Sequence, residues 1–280
     1  MFAALRPLHW LKNLLIFAPA FFSGNLTNCP ALLQSTAAFV IFCAASSGMY
    51  LLNNVLDRKA DAVHPRKKNR PLASGRAKSQ TYLFLSLILE AAALTAAILF
   101  GRIIAIYLLS YIFLITSYSI FLKKVPVINL ILIASGMLLR VYAGAAAIGV
   151  EVSPWVLPCL FLLSMYITLG KRIFDGNSAR GWQKILFSAL GLAAFLAYLF
   201  YCVQPGNIAS HLAPRTSHFF FHAMLWLTSL PVLLGIARYH QIMYRRDGKK
   251  EHLETIATDS VMILSLLTWL LLFGVIIYII

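Results

Sequence analysis

Long apolar runs, broken by short polar stretches, make up most of the 280 residues. A helix needs about 20 mostly apolar residues to cross a bilayer. By that yardstick nine runs qualify as spans, near 9–24, 32–54, 79–100, 102–121, 126–148, 153–171, 182–203, 217–240 and 257–280. The first is short and contains Pro19, which predicts a kinked or partly interfacial segment. The pattern predicts an all-α integral membrane protein with about nine transmembrane helices, a single helical domain over 1–280. Its most charged polar interruptions are a loop at 55–78 and another at 241–256.

Composition places the chain in the membrane class. Hydrophobic residues make up 60% and charged residues 12%, where a soluble domain carries about 25% charged. Arg6 and Lys12 precede or open the first run, and no small-residue cleavage pattern follows it, so a cleavable signal peptide is not expected. Charge then sets the topology. The N-terminal segment and the loops after the second, fourth, sixth and eighth runs hold 21 Lys or Arg; the alternate loops hold two, Arg102 and Arg215. Basic residues concentrate in cytoplasmic loops, so the N-terminus is expected in the cytoplasm and the C-terminus outside, in the cytoplasmic (inner) membrane. The loops at 55–78 and 241–256 are then both cytoplasmic, the first a basic cap. A formal charge of +15 fits anionic lipid and an anionic substrate, and no nucleic-acid partner is expected. The four cysteines, Cys29, Cys43, Cys159 and Cys202, lack metal-ligand spacing and read as packing residues.

The loop after the second run carries the densest chemistry. Asn53 to Pro71 holds two acids, Asp57 and Asp61, and six Lys or Arg. Asn53, Asp57 and Asp61 stand at i, i+4 and i+8, one stripe of a helix. Carboxylates in a row beside bases suit a metal-bridged polyphosphate; the alternative is a solvated, positive-inside loop. Mg2+ takes one or two carboxylates plus substrate phosphate oxygens, and Asn53 and Asn54 can add neutral oxygens. Pro65 disfavours helical backbone at His64, so the helix is expected to end there. Arg66 to Lys78 would then lie over the site, Arg70 gripping phosphate bidentately and Lys67 acting as a point charge.

Arg140 stands well inside a span, where an ionisable group is costly and points to function; a structural partner such as Glu90 is the alternative. Lys171 and Arg172, with Asp175, close the sixth run as an anion clamp or as snorkelling bases. Tyr118 and Lys123 close the fourth in the same two ways. The last basic loop, Arg238 to Asp259, reads as a solvated face or, through Glu254, a cap on the site. The histidines are too scattered for a His-based centre.

These residues resemble a known family. Asn53-Asn54-x-x-Asp57-x-x-x-Asp61, followed by His64-Pro65 and Arg70-Pro71, resembles the first motif of the UbiA superfamily of intramembrane prenyltransferases. Arg6-Pro7-Leu8-His9-Trp10-Leu11-Lys12-Asn13, Tyr118-Ser119-x-x-Leu122-Lys123, Ala134-Ser135-Gly136-x-x-Leu139-Arg140, Gly170-Lys171-Arg172 and Arg238-Tyr239 resemble its decaprenyl-phosphate phosphoribosyltransferase branch. The match runs through nearly the whole chain in order. Two departures stand out. Asn54 occupies a position where the family usually carries aspartate, which removes one potential metal ligand. Lys171 and Arg172 stand where members that use prenyl diphosphates carry a second aspartate-rich motif, which agrees with the phosphoribosyl branch.

The resemblance implies a UbiA-like bundle with a cytoplasm-facing central cavity. It implies Mg2+-dependent transfer of 5-phosphoribose from phosphoribosyl pyrophosphate to a polyprenyl phosphate such as decaprenyl phosphate, a cell-wall precursor type of reaction. Asp57 and Asp61, with Asn53 and Asn54, would hold Mg2+. Lys67, Arg70, Lys171 and Arg172 would bind the donor's phosphates, with Asp57, Asp61, Lys171 and Arg172 as the catalytic set. Lys12, Tyr118, Lys123 and Arg140 would meet the 5-phosphate or the acceptor phosphate. A prenyltransferase with an aromatic or glycerol-phosphate acceptor, and a transporter or flippase of an anionic lipid, are the alternatives. A homo-oligomer is compatible with the sequence.

Overall fold

The computed structural model describes residues 5–63, 68–122, 126–175, 181–203, 224–244 and 252–279. Among them no strand occurs. The helices are α1 (Ala18–Phe22), α2 (Cys29–Leu56), α3 (Arg58–Val63), α4 (Ser79–Phe100), α5 (Arg102–Ser117), α6 (Pro126–Ile148), α7 (Val156–Asp175), α8 (Gly181–Val203), α9 (Ser229–Tyr244), α10 (His252–Ala257) and α11 (Ser260–Tyr278). A 3-10 helix, Pro7–Phe17, precedes α1, and a π-turn, Tyr118–Leu122, continues α5. Seven helices, α2, α4, α5, α6, α7, α8 and α11, are long and apolar enough to cross a membrane among the described residues. The eighth expected span is described only in part, ending in the 16-residue α9.

The first expected span has an unexpected form. Eleven residues, Pro7–Phe17, are 3-10, and five, Ala18–Phe22, are α. A 3-10 helix rises about 2.0 Å per residue, against about 1.5 Å for α, so this short run reaches about 30 Å, the thickness of a hydrocarbon core. Pro19 has no N–H to donate, and the change of helix type falls beside it. The three-residue period also stacks Trp10, Asn13 and Ile16 on one edge. All three face inward: Trp10 Nε1 donates to Ser47 Oγ at 3.0 Å, Asn13 is fully buried, and Ile16 enters the core beside Phe42 and Ala143.

The chain packs as two compact units. In the first, residues 1–21 and 25–151, α2 is the hub: 61% of its apolar window is buried, against 17% in α4 and in α5. It touches the 3-10 segment, α4, α5 and α6. Small residues bring these helices close, as is usual where lipid removes the hydrophobic drive between them. Ala38, Ala45, Ala93, Ala97, Ala143 and Ala147 line the core with Phe42, Leu108 and Tyr111. A Cβ on Gly48 would lie 2.8 Å from Glu90 Cγ, and Ser86 Oγ donates to the Gly48 carbonyl at 2.8 Å. A Cβ on Gly144 would overlap the backbone carbonyl of Ile16. In the loop after α2, Leu72 is plugged between Leu51 and Tyr82.

The second unit holds residues 22–24 and 152–280. Here α7 pairs with α8, and α9 packs against α7, α8 and α11. Tyr166 stacks on Phe187, whose ring in turn stacks on His240. Trp269 Nε1 donates to Tyr198 Oη at 2.8 Å, and Phe22 packs edge-on against Trp269.

Gly144 has backbone for a neighbour and Gly274 has open space, so the two should respond differently to alanine. Gly144→Ala must displace the 3-10 segment and is expected to cost about 1–3 kcal/mol, read as a lower Tm of the detergent-solubilised protein. Gly274→Ala is expected to melt at or above wild type, since alanine favours helix over glycine. Equal melting of Gly144→Ala and wild type would contradict the close approach.

Candidate functional site

The polar end of the first unit forms where α2 stops. Asn53 and Asn54 are on its last turn, and Asp57 follows the final residue, Leu56. The helix breaks at Asp57 (φ −87°, ψ −1°), about two turns earlier than the expected end near His64. The hydrogen-bond ladder nevertheless continues: the Asp57 N–H donates to the Asn53 carbonyl at 2.9 Å and the Asp61 N–H to the Asp57 carbonyl at 2.8 Å. Thus the stripe survives the break. The second helix, α3, ends at Val63, immediately before His64-Pro65.

Asp61 is 4% exposed, on the first turn of α3. Arg70 reaches back and donates from Nη1 to Asp61 Oδ2 at 2.6 Å, keeping about a third of its own surface in solvent. Asp57 and Asn53 are half-buried and Asn54 is buried. The Asn54 Oδ1 accepts from Arg6 Nη2 at 3.2 Å, and the same guanidinium lies 5.2 Å from the centre of the Tyr50 ring. Burial and then the Arg70 charge hold the Arg6 pKa below its usual value, while Tyr50, Asp61 and Asp57 oppose that shift. Two cations and two acids therefore share one polar corner, with amide oxygens beside them.

The remaining expected residues fall into three groups. Lys12 is half-buried on the 3-10 segment, and Tyr118 is half-buried where α5 passes into the π-turn, a geometry common at functional sites. Lys67 and Lys123 lie outside the described residues, as do the side chains of Asp175 and Glu254. Arg140 is 5% exposed and held by protein groups: Nε donates to Asn13 Oδ1 at 2.7 Å, Nη1 to the Gly136 carbonyl at 2.6 Å and Nη2 to Tyr111 Oη at 3.0 Å. Its guanidinium also lies 4.6 Å from the centre of the Tyr111 ring. The alternative partner Glu90 instead accepts from Ser86 Oγ at 3.1 Å. Asn13 passes the network on to α2, donating to Ser46 Oγ and Cys43 Sγ at 3.2 Å each.

In the second unit, Lys171 is exposed and Arg172 half-buried on the last turn of α7. They follow Gly170, where a Cβ would lie 2.5 Å from Tyr239 Oη. That tyrosine donates to the Ile167 carbonyl at 2.8 Å, locking α9 onto α7. Arg238 grips both carboxylate oxygens of Asp259, at 2.7 Å from Nη2 and 3.2 Å from Nε. Asp259 also caps α11, accepting from the Met262 N–H at 3.0 Å.

Arg6, Tyr50 and Asn13 were not among the expected site residues. Arg6 carried a signal, a base just before the first apolar run. Asn13, like Arg6, stood in the matching Arg6-to-Asn13 stretch without an assigned role, and Tyr50 carried no signal, since its role comes from contact between the 3-10 segment and α2.

The oxygen donors fit a divalent cation of one kind. Asn53, Asp57 and Asp61, on successive turns, are hard ligands of the sort Mg2+ accepts, whereas Asn54, the fourth expected ligand, gives its Oδ1 to Arg6. No three His, Cys, Asp or Glu side chains converge among the described residues, so the set suits an ion completed by substrate phosphate rather than caged by protein alone.

A family model described as UbiA prenyltransferase family matches residues 14–267. The decaprenyl-phosphate phosphoribosyltransferase of Corynebacterium glutamicum is 35% identical over 176 residues, 61% of this chain and 53% of that protein. The enzyme of the same name from Mycolicibacterium smegmatis is 34% identical over 173 residues, 60% of this chain and 54% of that protein. The chain thus spans about half the length of these relatives. A UbiA homolog from Archaeoglobus fulgidus, solved bound to DMAPP and Mg2+, shares the fold at a TM-score of 0.69 and 17% identity, over 99% of this chain and 98% of that one.

The Arg238–Asp259 pair sets an acid dependence. Hydrogen bonds from Arg238 are the main cause of a lowered Asp259 pKa, with the Met262 N–H adding to it. A depressed carboxyl contributes stability above its unfolded pKa of about 4 and loses it as pH falls through the folded value. Wild type should therefore lose melting temperature below about pH 4 more steeply than Asp259→Asn, which should melt lower at neutral pH. Parallel acid limbs for the two proteins would contradict the pairing.

Proposed function

The chain belongs to the UbiA prenyltransferase family, and we propose that it transfers 5-phosphoribose from phosphoribosyl pyrophosphate to a polyprenyl phosphate, releasing pyrophosphate. The observation that carries this reading is the polar corner at the end of α2. Asp57, Asp61, two amides and Arg70 meet there at the head of an apolar bundle. Such a corner suits a polyanion whose partner substrate trails a lipid tail. The names of the two phosphoribosyltransferase relatives support the choice of donor and acceptor.

In this reading the acceptor is already an anion, so no general base is needed. A lipid phosphate oxygen forms a bond to C1 of the ribose as the C1–O bond to pyrophosphate breaks, and the pyrophosphate leaves with the electron pair. The residues act by orientation and by charge stabilisation at the leaving group. Arg70 binds a donor phosphate with its outward face while Asp61 fixes its angle. Asp57, Asp61 and Asn53 would hold a divalent cation, which when bound would supply charge neutralisation for the leaving pyrophosphate. Lys67, Lys171 and Arg172 add positive charge for the donor, and Lys12, Tyr118 and Lys123 meet the 5-phosphate or the acceptor phosphate. Arg140 acts in this scheme as a positioning residue, because the protein groups on all three of its nitrogens bind it into the bundle.

We place this chemistry on the cytoplasmic face of the inner membrane. The charge alternation between loops supports nine crossings, with the N-terminus in the cytoplasm and the C-terminus outside. The 3-10 segment with α1 is long enough to be the first of them.

Purified protein with Mg2+, polyprenyl phosphate and labelled phosphoribosyl pyrophosphate is expected to yield lipid-linked phosphoribose. Asp57→Ala should lower that yield by at least a thousandfold while melting within a few degrees of wild type, since the carboxylate is half-buried at a helix end. Undiminished turnover in Asp57→Ala would remove the carboxylate from the reaction.

A further inference from the structure

Arg6 has no role in the scheme above, yet several observations converge on it. Its φ of 51° and ψ of 62° lie in the left-handed region, and no other described non-glycine residue has a positive φ. An L-residue adopts that conformation only where its surroundings enforce it. They do so here. On one side Ser47 Oγ donates to the neighbouring Leu5 carbonyl at 3.3 Å, and on the other the 3-10 helix begins at Pro7. The side chain is aimed along the end of α2, with the Nη2–Asn54 Oδ1 bond of 3.2 Å and the Tyr50 ring beneath it. Asp57, Asp61 and the like charge of Arg70 all act on it.

The groups that hold Arg6 are an amide oxygen and a phenol ring, both neutral. These two contacts orient the charge without ion-pairing it, while Asp57 and Asp61 offset only part of the effect of burial and of Arg70. Arg6 and Arg70 repel each other, and an anion bound by both would relieve that repulsion. We propose that Arg6 binds the diphosphate of the donor, and that Asn54 aims it there because a neutral side chain orients a guanidinium without pairing its charge. This assignment rests on the diphosphate-donor reading above. It gives position 54 a definite part in specificity. A carboxylate at 54 would bind Arg6 as an ion pair and withdraw it from the substrate, so Asn54 is more than a missing metal ligand.

The test is the affinity of the full-length purified protein for inorganic pyrophosphate at fixed Mg2+, measured by calorimetry alongside the Tm of each variant. Arg6→Gln is expected to weaken binding about ten- to a hundredfold, the value of one charge-assisted hydrogen bond. Arg6→Lys should fall between, since it keeps the charge and loses the fork. Asn54→Asp, close to isosteric, should weaken binding about tenfold with no loss of Tm. In the Arg6→Gln background the same change should have much less effect, because its target is gone. Unchanged pyrophosphate affinity in Arg6→Gln would overturn the role of Arg6. Tighter binding in Asn54→Asp, or an equal loss with and without Arg6, would overturn the role of Asn54. Wild type that binds neither pyrophosphate nor phosphoribosyl pyrophosphate would instead remove the diphosphate-donor reading, and this assignment with it.

Discussion

A guanidinium among apolar helices has to be satisfied by hydrogen bonds, because lipid offers none. Arg140 meets that requirement through Asn13, Gly136 and Tyr111, and the rest of the first unit follows from those bonds. Asn13 is drawn to full burial and bridges onward to Cys43 and Ser46 of α2. The 3-10 segment is thereby fixed between α2 and α6. Its close seat on Gly144 permits that position, and its three-residue period presents Trp10 and Ile16 in line with Asn13. Removing one partner of a buried charge typically costs about 3–5 kcal/mol, so this network is a fixed framework.

The framework has a chemical consequence at its open end. With the 3-10 segment running antiparallel to α2, Trp10 opposite Ser47 and Phe17 opposite Phe39, the segment's first turn meets the last turn of α2. Arg6 then arrives beside Asn54 and Tyr50. The same turn carries Asn53 and leads to Asp57 and Asp61, and Arg70 closes on Asp61 from the loop behind. An apolar bundle anchored by one buried cation therefore presents a second and a third at its polar mouth. Burial supplies the rigidity, and Arg70 and Asp57 keep part of their surface in solvent.

Part of this was legible in the sequence. The run lengths located the seven long helices, and the i, i+4, i+8 spacing placed Asn53, Asp57 and Asp61 on one stripe, because both depend only on local geometry. Pro65 marked the end of α3 for the same reason. The cost of Arg140 in a span was also readable, but its partner was not. Asn13 lies 127 residues away, and only packing brings the two together. Glu90 was the more obvious choice by charge, yet a charged partner is unnecessary where three neutral acceptors are in place. The 3-10 form of the first segment was hidden because hydrophobic pattern in a short run does not separate a three-residue period from 3.6. Arg6 was legible as a base before the first run and as the first residue of a matching stretch, but its aim was not, because that comes from a left-handed backbone and from the neutral Asn54 beside it. Lys171 and Arg172 were legible as charges at a helix end, and Gly170 shows why the glycine precedes them: Tyr239 occupies the space.

The central claim is that this polar corner takes a phosphoribosyl diphosphate as its donor. Equilibrium binding of labelled phosphoribosyl pyrophosphate to the wild-type protein with Mg2+, in competition with dimethylallyl diphosphate, tests it most directly. The account predicts that phosphoribosyl pyrophosphate binds and that the prenyl diphosphate displaces it at least tenfold less well than unlabelled donor. Binding of the prenyl diphosphate with no measurable binding of phosphoribosyl pyrophosphate would contradict it.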